Sequence, residues 1–273
     1  MNLSIFTQIV IFLLGLSVGS FLNVLIDRLP KEEQVLKGRS YCDHCRHQLA
    51  WFDLIPLLSF VFLRGRCRYC GKKISWQYPL VELITGVMFL IVSNRAIEQS
   101  SSPVIVTLLH CYIVASLIVI FFTDLKYGII PDKIVYPVVV LMILFRFVPP
   151  SEESKSLLRH LGGVTLPISY YLLVAFGVAG FFWLLILLTK GRGMGFGDVK
   201  LAFLMGLILG FPKIIPALYF AFLTGALVSV ILILSKRKKF GQTIPFGPFL
   251  VGGTIFSLFY GNEAIKWWLS IIM

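Results

Sequence analysis

The chain has 273 residues, of which 58% are hydrophobic and only 14% charged, with a mean hydropathy of +0.88. Soluble domains carry roughly a quarter charged residues, so this composition excludes an ordinary soluble globule and predicts an all-α polytopic membrane protein with the lipid bilayer as a partner. The formal charge of +12 is expected to come from basic loops on one face of a membrane, and no nucleic-acid partner is expected.

Apolar runs of roughly 17–25 residues are the signature of a membrane span. They predict eight transmembrane helices, at about 4–26, 79–97, 104–123, 133–148, 168–189, 199–211, 214–235 and 248–272. The first run has no basic n-region and no small-residue cleavage site, so it reads as a retained span rather than a signal peptide. The run at 199–211 is short, and Pro212 separates it from its successor. The stretch 149–167 is ambiguous: "PPSEESKSLLRH" has loop composition, and "LGGVTLP" suits an interfacial segment or an early turn of the fifth span. Lysine and arginine set the orientation. Ten lie in 28–78, two in 124–133, three in 190–200 and four in 236–239, which is nineteen of the twenty-five, all on one side of an eight-span chain. The positive-inside rule places those segments in the cytoplasm and both termini outside. The expected organisation is a first transmembrane helix (1–27), a cytoplasmic loop domain (28–78) and a membrane-embedded domain (79–273).

The first loop reads "YCDHCRHQLAWFDLIPLLSFVFLRGRCRYCGKK". Cys42 and Cys45 form one C-x-x-C, Cys67 and Cys70 another, and 21 residues separate the pairs. Two such turns offer four thiolates to one tetrahedral zinc. A reducing cytoplasmic location disfavours disulfides, and four thiolates leave no open coordination position, so the zinc is structural. His44 and His47 are spare ligand types, read as solvated. A loop of about 50 residues has little core of its own, so metal binding supplies much of its folding energy. Cys111, inside the third span, reads as an inert core residue.

Most of the thirteen carboxylates lie in polar loops. Glu82, Asp124, Asp132 and Asp198 instead sit at or inside the ends of apolar runs, where ionisable groups are costly and usually functional or paired. Asp198, at the end of "GMGFGD", is a plausible helix N-cap, and so is Asp132 after Pro131. Asp124 closes a helix, where the macrodipole disfavours an anion. Asp124 and Asp198 are 74 residues apart, yet reach the same membrane depth, and each opens an Asp-x-Lys pattern. Two close carboxyls do not both ionise easily. The ionised one can take a proton from water while the other hydrogen-bonds a peptide carbonyl, which is general acid–base peptide hydrolysis. Gly193, Gly195 and Gly197 would then let a substrate backbone approach. A proton-coupled transporter would use membrane acids too, and a scaffold for a secretion machine is a further alternative. "IPFGPFL" before the last run reads as a loop leading into a helix or, alternatively, as a wall of the cleft. Trp267 and Trp268 suit an interfacial belt.

"GSFLNVLIDRLP", the double C-x-x-C loop, "WFDLIPLLSF", "YPLVELITG", "TDLKYGIIPD", "GMGFGDVKL" and "IPFGPFL" occur in this order along nearly the whole chain. Together they resemble the bacterial type IV prepilin peptidases, bifunctional leader peptidase/N-methyltransferases of pilus, type II secretion and competence systems. The G-x-G-D motif alone is shared with presenilin-like intramembrane proteases, which lack the cysteine loop. The resemblance implies prepilin or pseudopilin substrates, cleaved after a glycine on the cytoplasmic side of the bacterial inner membrane, and methylation of the new N-terminus from S-adenosylmethionine. It implies that Asp124 and Asp198 are the catalytic aspartates, that Gly195 and Gly197 belong to the catalytic loop, and that Cys42, Cys45, Cys67 and Cys70 are the zinc ligands. It ties methyl transfer to 28–78 and the start of the second span, with Glu82 and Gly86 as candidates, although no Rossmann-type glycine motif is present. Glu82 alternatively pairs with a loop Arg or Lys, and Gly86 alternatively serves close helix packing. A peptidase without methyl transfer is the remaining alternative. One departure is Asp43, where many relatives carry proline; it leaves the thiolates in place.

Overall fold

The computed structural model describes residues 4–35, 38–99, 103–147, 168–191, 194–236 and 244–272. The stretch 149–167, Gly193 and the lysines and arginine of 237–239 lie outside the described residues. All eight apolar runs form helices: α1 (Ile5–Arg28), α3 (Gln77–Gln99), α4 (Pro103–Tyr127), α5 (Asp132–Phe147), α6 (Ile168–Leu188), α7 (Phe196–Leu209), α8 (Ile214–Leu234) and α9 (Gly247–Ile272). A short helix not foreseen in the sequence, α2 (Leu58–Phe62), lies in the first loop after a 3-10 turn at Trp51–Leu54. Among the described residues the only β structure is two isolated bridges in that loop.

Five of these helices are long and apolar enough to cross a membrane, at Ile5–Lys31, Gln77–Arg95, Val104–Tyr127, Ile168–Leu188 and Ile214–Leu234. The chain is a multi-pass membrane protein. The other three helices fall short for different reasons. At 1.5 Å per residue, the 16 residues of α5 and 14 of α7 span about 24 and 21 Å, less than a hydrocarbon core of about 30 Å. The helix α9 has 26 residues, but its apolar run is diluted by glycines and by Asn262, Glu263 and Lys266.

The chain divides into two compact units, Met1–Val119 and Ile120–Met273. In the first, α1 and α3 pack at very short range because glycines face each other. A Cβ on Gly15 would stand 2.7 Å from the Gly86 Cα, and one on Gly19 would stand 2.7 Å from the Glu82 Cα. Small residues four apart let two helix backbones meet in the absence of a hydrophobic driving force. The contact is extended by Asn23, whose Nδ2 donates to the Tyr78 carbonyl at 3.1 Å.

In the second unit α7 is the core. From Asp198 to Leu209 almost every residue is buried, and α5, α6 and α9 pack around it. It is short and apolar on all sides because protein, not lipid, surrounds it. A Cβ on Gly206 would lie 2.5 Å from the Ala175 Cα of α6. The helix stops at Gly210 (φ +62), two residues before the Pro212 that the sequence suggested as the break. Likewise α8 and α9 meet where Gly253 lies against the Ala217 backbone.

Candidate active site and metal-binding loop

The first loop contains two copies of one turn. In the first, the Cys42 N–H donates to the His47 carbonyl (3.0 Å) and the Arg46 N–H to the Cys42 carbonyl (2.8 Å). In the second, Cys67 N–H donates to the Lys72 carbonyl (2.8 Å) and Gly71 N–H to the Cys67 carbonyl (2.9 Å). Each is closed by an antiparallel bridge, Tyr41 to Gln48 and Arg66 to Lys73. Arg46 (φ +59) and Gly71 (φ +69) occupy the same left-handed position. This shape turns both thiols of a C-x-x-C to one side. The four Sγ atoms of Cys42, Cys45, Cys67 and Cys70 lie within 4.8 Å of one another, and Cys42 Sγ is 3.9 Å from Cys70 Sγ. Thiolates about 2.3 Å from a tetrahedral metal are a little under 4 Å apart, so the cluster fits one metal ion. His47 is not one of the clustered ligand residues and packs on Tyr69, with ring centroids 3.7 Å apart and the planes tilted by 34°.

Asp53 holds the second turn in place. It is buried, accepts from Arg68 Nε at 2.8 Å, from the Tyr69 hydroxyl at 3.3 Å and from the Ala50 N–H at 3.3 Å. Burial first, then the Asp53 charge beside it, pushes the Tyr69 phenol up, so Tyr69 remains a donor. In the sequence Asp53 reads as one more loop acid. The signal available was its place in an otherwise apolar "WFDLIP".

Glu82, buried in α3, accepts from the Leu57 N–H at 2.9 Å; this partner is a backbone amide rather than a loop cation. Leu57 is left-handed (φ +60), which aims that amide at α3. Gly86 faces Phe12 and Leu16, which a Cβ would approach to 2.8 and 2.9 Å, so a side chain here would disturb the packing of α1 on α3. The neighbouring Asn23 Oδ1 is buried without a hydrogen-bond partner.

The carboxylates of Asp124 and Asp198 are both buried. Asp198 is the third residue of α7, where the helix dipole favours an anion, and its Oδ2 accepts from the Gly195 N–H at 3.2 Å. Gly195, not Asp198, is therefore the N-cap, and Asp198 is the reach-back acceptor of a half capping box. Asp124 lies in the last turn of α4, and its Oδ2 accepts from the Gly247 N–H at 2.9 Å. Gly247 is the first residue of α9. The anion disfavoured by its own helix is thus placed at the N-terminus of another. Gly197 lies against Ile130 and Lys200 binds Asp132, so the start of α7, which carries Asp198, packs on the segment that directly follows Asp124. Each spends Oδ2 on a backbone amide, and among the described residues no hydrogen bond reaches either Oδ1.

Glycines have distinct roles here. A Cβ on Gly247 would meet Asp124 Oδ2 at 2.5 Å, and one on Gly197 would meet Ile130 Cβ at 3.2 Å. A Cβ on Gly195 would meet nothing closer than 3.9 Å. Of the three, Gly195 has the most room, beside the Asp198 carboxylate; Gly197 lets the first turn of α7 sit on the "GIIPD" segment. That contact is reinforced by Asp132, the first residue of α5, which takes Lys200 Nζ at 2.7 Å. The two Asp-x-Lys patterns are therefore not equivalent: Lys200 ties α7 to α5, whereas Lys126 lies over the Tyr127 ring. Gly247, with Pro245 and Pro248, reads from the sequence as a helix break at a loop-to-helix entry or as a wall of the cleft; its amide bond to Asp124 has no signal there.

The chain matches the bacterial Peptidase A24 N-terminal domain over 13–96 and the type IV leader peptidase family over 111–230. It is 30% identical over 267 residues to a prepilin leader peptidase/N-methyltransferase of Bacillus subtilis (strain 168), covering 97% of this chain and 98% of the relative. It is 32% identical to a protein of the same name in Aeromonas hydrophila, covering 95% and 93%, and 30% identical to one in Burkholderia pseudomallei (strain 1026b), covering 91% and 84%. No solved structure matches the chain. With both domain matches in order and a relative matched from end to end, the chain belongs to the type IV leader peptidase family.

Proposed function

We propose that this protein removes the leader of type IV prepilins or pseudopilins by paired-aspartate hydrolysis and then methylates the new N-terminus. The observation that carries the reading is the pair of buried carboxylates from α4 and α7, each anchored through Oδ2 and open at Oδ1. Two like charges in one site do not both ionise readily. The ionised carboxylate takes a proton from water as its oxygen attacks the scissile carbonyl carbon, and the protonated partner donates to the carbonyl oxygen. As the C–N bond breaks, a proton passes to the leaving amine. Gly195 provides clearance for the substrate backbone beside Asp198, and Gly197 fixes that loop.

The metal is zinc, held by Cys42, Cys45, Cys67 and Cys70 in a structural site, since four thiolates leave no open position. S-adenosylmethionine supplies the methyl group when bound. The residues here that suit a cationic donor or an amine are the Glu82 carboxylate and the orphaned Asn23 Oδ1 one turn away between α1 and α3; Gly86 shapes that packing. In the membrane, α5, α7 and α9 complete an eight-span arrangement in the inner membrane, with the loop 28–78 and the aspartates at the cytoplasmic face and both termini outside. The residues 79–273 form the peptidase domain.

The test is cleavage of a co-expressed prepilin, read by gel mobility. Asp124→Asn and Asp198→Asn should each abolish cleavage, a loss of about 1,000-fold or more for one member of an acid–base pair, with the variant still folded in the membrane. Full cleavage by either variant would overturn the mechanism. Mass spectrometry of the mature N-terminus tests the second activity, where an unmodified amine would remove the methyl-transfer reading.

A further inference from the structure

The loop that carries the metal cluster also carries large apolar side chains that nothing among the described residues covers. Trp51 is 77% exposed, Phe62 80% and Trp76 76%, and Leu58 and Val61 beside them are exposed as well. Water-facing surfaces rarely expose so many large apolar side chains within one short segment. Segment 51–76 holds five cations and one acid. That acid, Asp53, is buried and already paired with Arg68, which leaves Arg64, Arg66, Lys72 and Lys73 as exposed net positive charge beside the aromatic face.

One chain connection and two contacts fix where this segment lies. Trp76 directly precedes Gln77, the first residue of a candidate span. The Phe60 ring of α2 packs on Trp76 with centroids 4.9 Å apart. The Leu57 amide is bonded to Glu82, in the second turn of α3. The aromatic face is thereby held at the level where α3 enters the membrane. Tryptophans and phenylalanines there prefer the headgroup–acyl boundary, and lysines and arginines beside them complement anionic headgroups. An apolar face of this kind, rimmed by cations and pinned at the boundary, matches a lipid surface in both polarity and charge.

We propose that segment 51–76 is a monotopic foot: Trp51, Phe62 and Trp76 seat in the leaflet from which α3 emerges, and Arg64, Arg66, Lys72 and Lys73 bind its anionic headgroups. The occupant is lipid. It rests on α3 being a span, and is independent of the aspartate chemistry. A foot of this kind would hold the metal cluster at a set height above the bilayer, instead of leaving it on a loop free to swing.

The test uses the full, metal-loaded chain in vesicles of phosphatidylcholine, with and without phosphatidylglycerol. Phe62→p-benzoylphenylalanine places a photoreactive group on the face, and Leu187→p-benzoylphenylalanine, on the exposed side of α6, reports labelling by lipid in a span. Position 62 should give lipid adducts by mass spectrometry, with more in the anionic vesicles. Replacing Arg64, Arg66, Lys72 and Lys73 together by Ser should remove that excess. Absence of lipid adduct at 62 while position 187 is labelled would overturn the proposal. So would a co-reconstituted prepilin that takes over the adduct at 62, because the face would then be a peptide-docking surface. An adduct yield insensitive to phosphatidylglycerol and to the four substitutions would overturn the headgroup assignment.

Discussion

The cysteine loop and the aspartate site solve the same problem, gathering side chains distant in sequence, by opposite means. In the loop each half is complete locally. Eight residues close a turn with their own amides and carbonyls, and the two turns repeat each other bond for bond. In the aspartate site neither half is complete. Asp124 is satisfied by an amide 123 residues away, and Asp198 stands in the first turn of a helix seated on Ile130 and Asp132. A local device tolerates change elsewhere in the chain; a tertiary one is sensitive to single atoms at remote positions.

Removing a ligand gives the largest expected effect. Cys67→Ser should lose the metal altogether, since structural zinc sites contribute about 10–16 kcal/mol to small metal domains and Cys67 is the buried member of the four. Metal analysis and limited proteolysis between Cys42 and Cys70 would check this. Cleavage of prepilin should be the less affected readout. If cleavage vanished with the metal, the two regions would not be separable and the contrast would fail.

Gly247→Ala makes the converse cut. Its Cβ would be 2.5 Å from Asp124 Oδ2, so the carboxylate must move. A displacement of about 1 Å at a reacting group costs about 100-fold. We expect that loss in leader cleavage, with metal content and membrane insertion unchanged. Normal cleavage would show that the amide bond to Asp124 does not position it.

The contrast also explains what was legible in the sequence. Helices α1, α3, α4, α6 and α8 follow from apolar runs, because burial in lipid imposes one pattern on the whole run. The C-x-x-C turns follow because their geometry is written in eight contiguous residues. The aspartates stood out through their placement at the ends of apolar runs. The reason Asp124 tolerates the end of α4 was hidden, because its remedy is the first amide of α9. Asp53 was hidden for a similar reason, as its partners Arg68 and Tyr69 lie 15 and 16 residues on. Contacts of that kind leave no period in a sequence.

Within the aspartate site, the two motif glycines separate packing from clearance. Gly197→Ala pushes on Ile130 at 3.2 Å, which should destabilise by about 1 kcal/mol, the low end for overpacking. Gly195→Ala adds only ordinary van der Waals contacts, at 3.9 Å to the Gly197 nitrogen and 4.0 Å to Asp198 Oδ2, and has a φ of −86° open to any residue, so stability should change by less than about 0.5 kcal/mol. Cleavage should nevertheless fall if Gly195 clears the way for substrate. Unchanged cleavage in Gly195→Ala, measured beside thermal unfolding of both variants, would remove that role.

The smallest effect bears on how nearly the two turns are copies. Both need a left-handed residue after the second cysteine, and glycine reaches that region without the steric cost that a Cβ adds. Gly71 meets nothing within 4 Å, so Gly71→Ala should cost only its backbone term, about 1 kcal/mol. Arg46→Gly removes the same term but also loses the guanidinium over Tyr41, 5.1 Å from the ring centroid, an exposed cation–π contact of about 0.5–1 kcal/mol. The two contributions offset, and Arg46→Gly should be close to neutral. Since folding of the turns and metal binding are one equilibrium, chelator competition reads both: about a fivefold loss of metal affinity for Gly71→Ala and little change for Arg46→Gly. A large loss in Arg46→Gly would mean that the Tyr41 contact, not the turn itself, shapes the first knuckle, and that the two halves are copies in outline only.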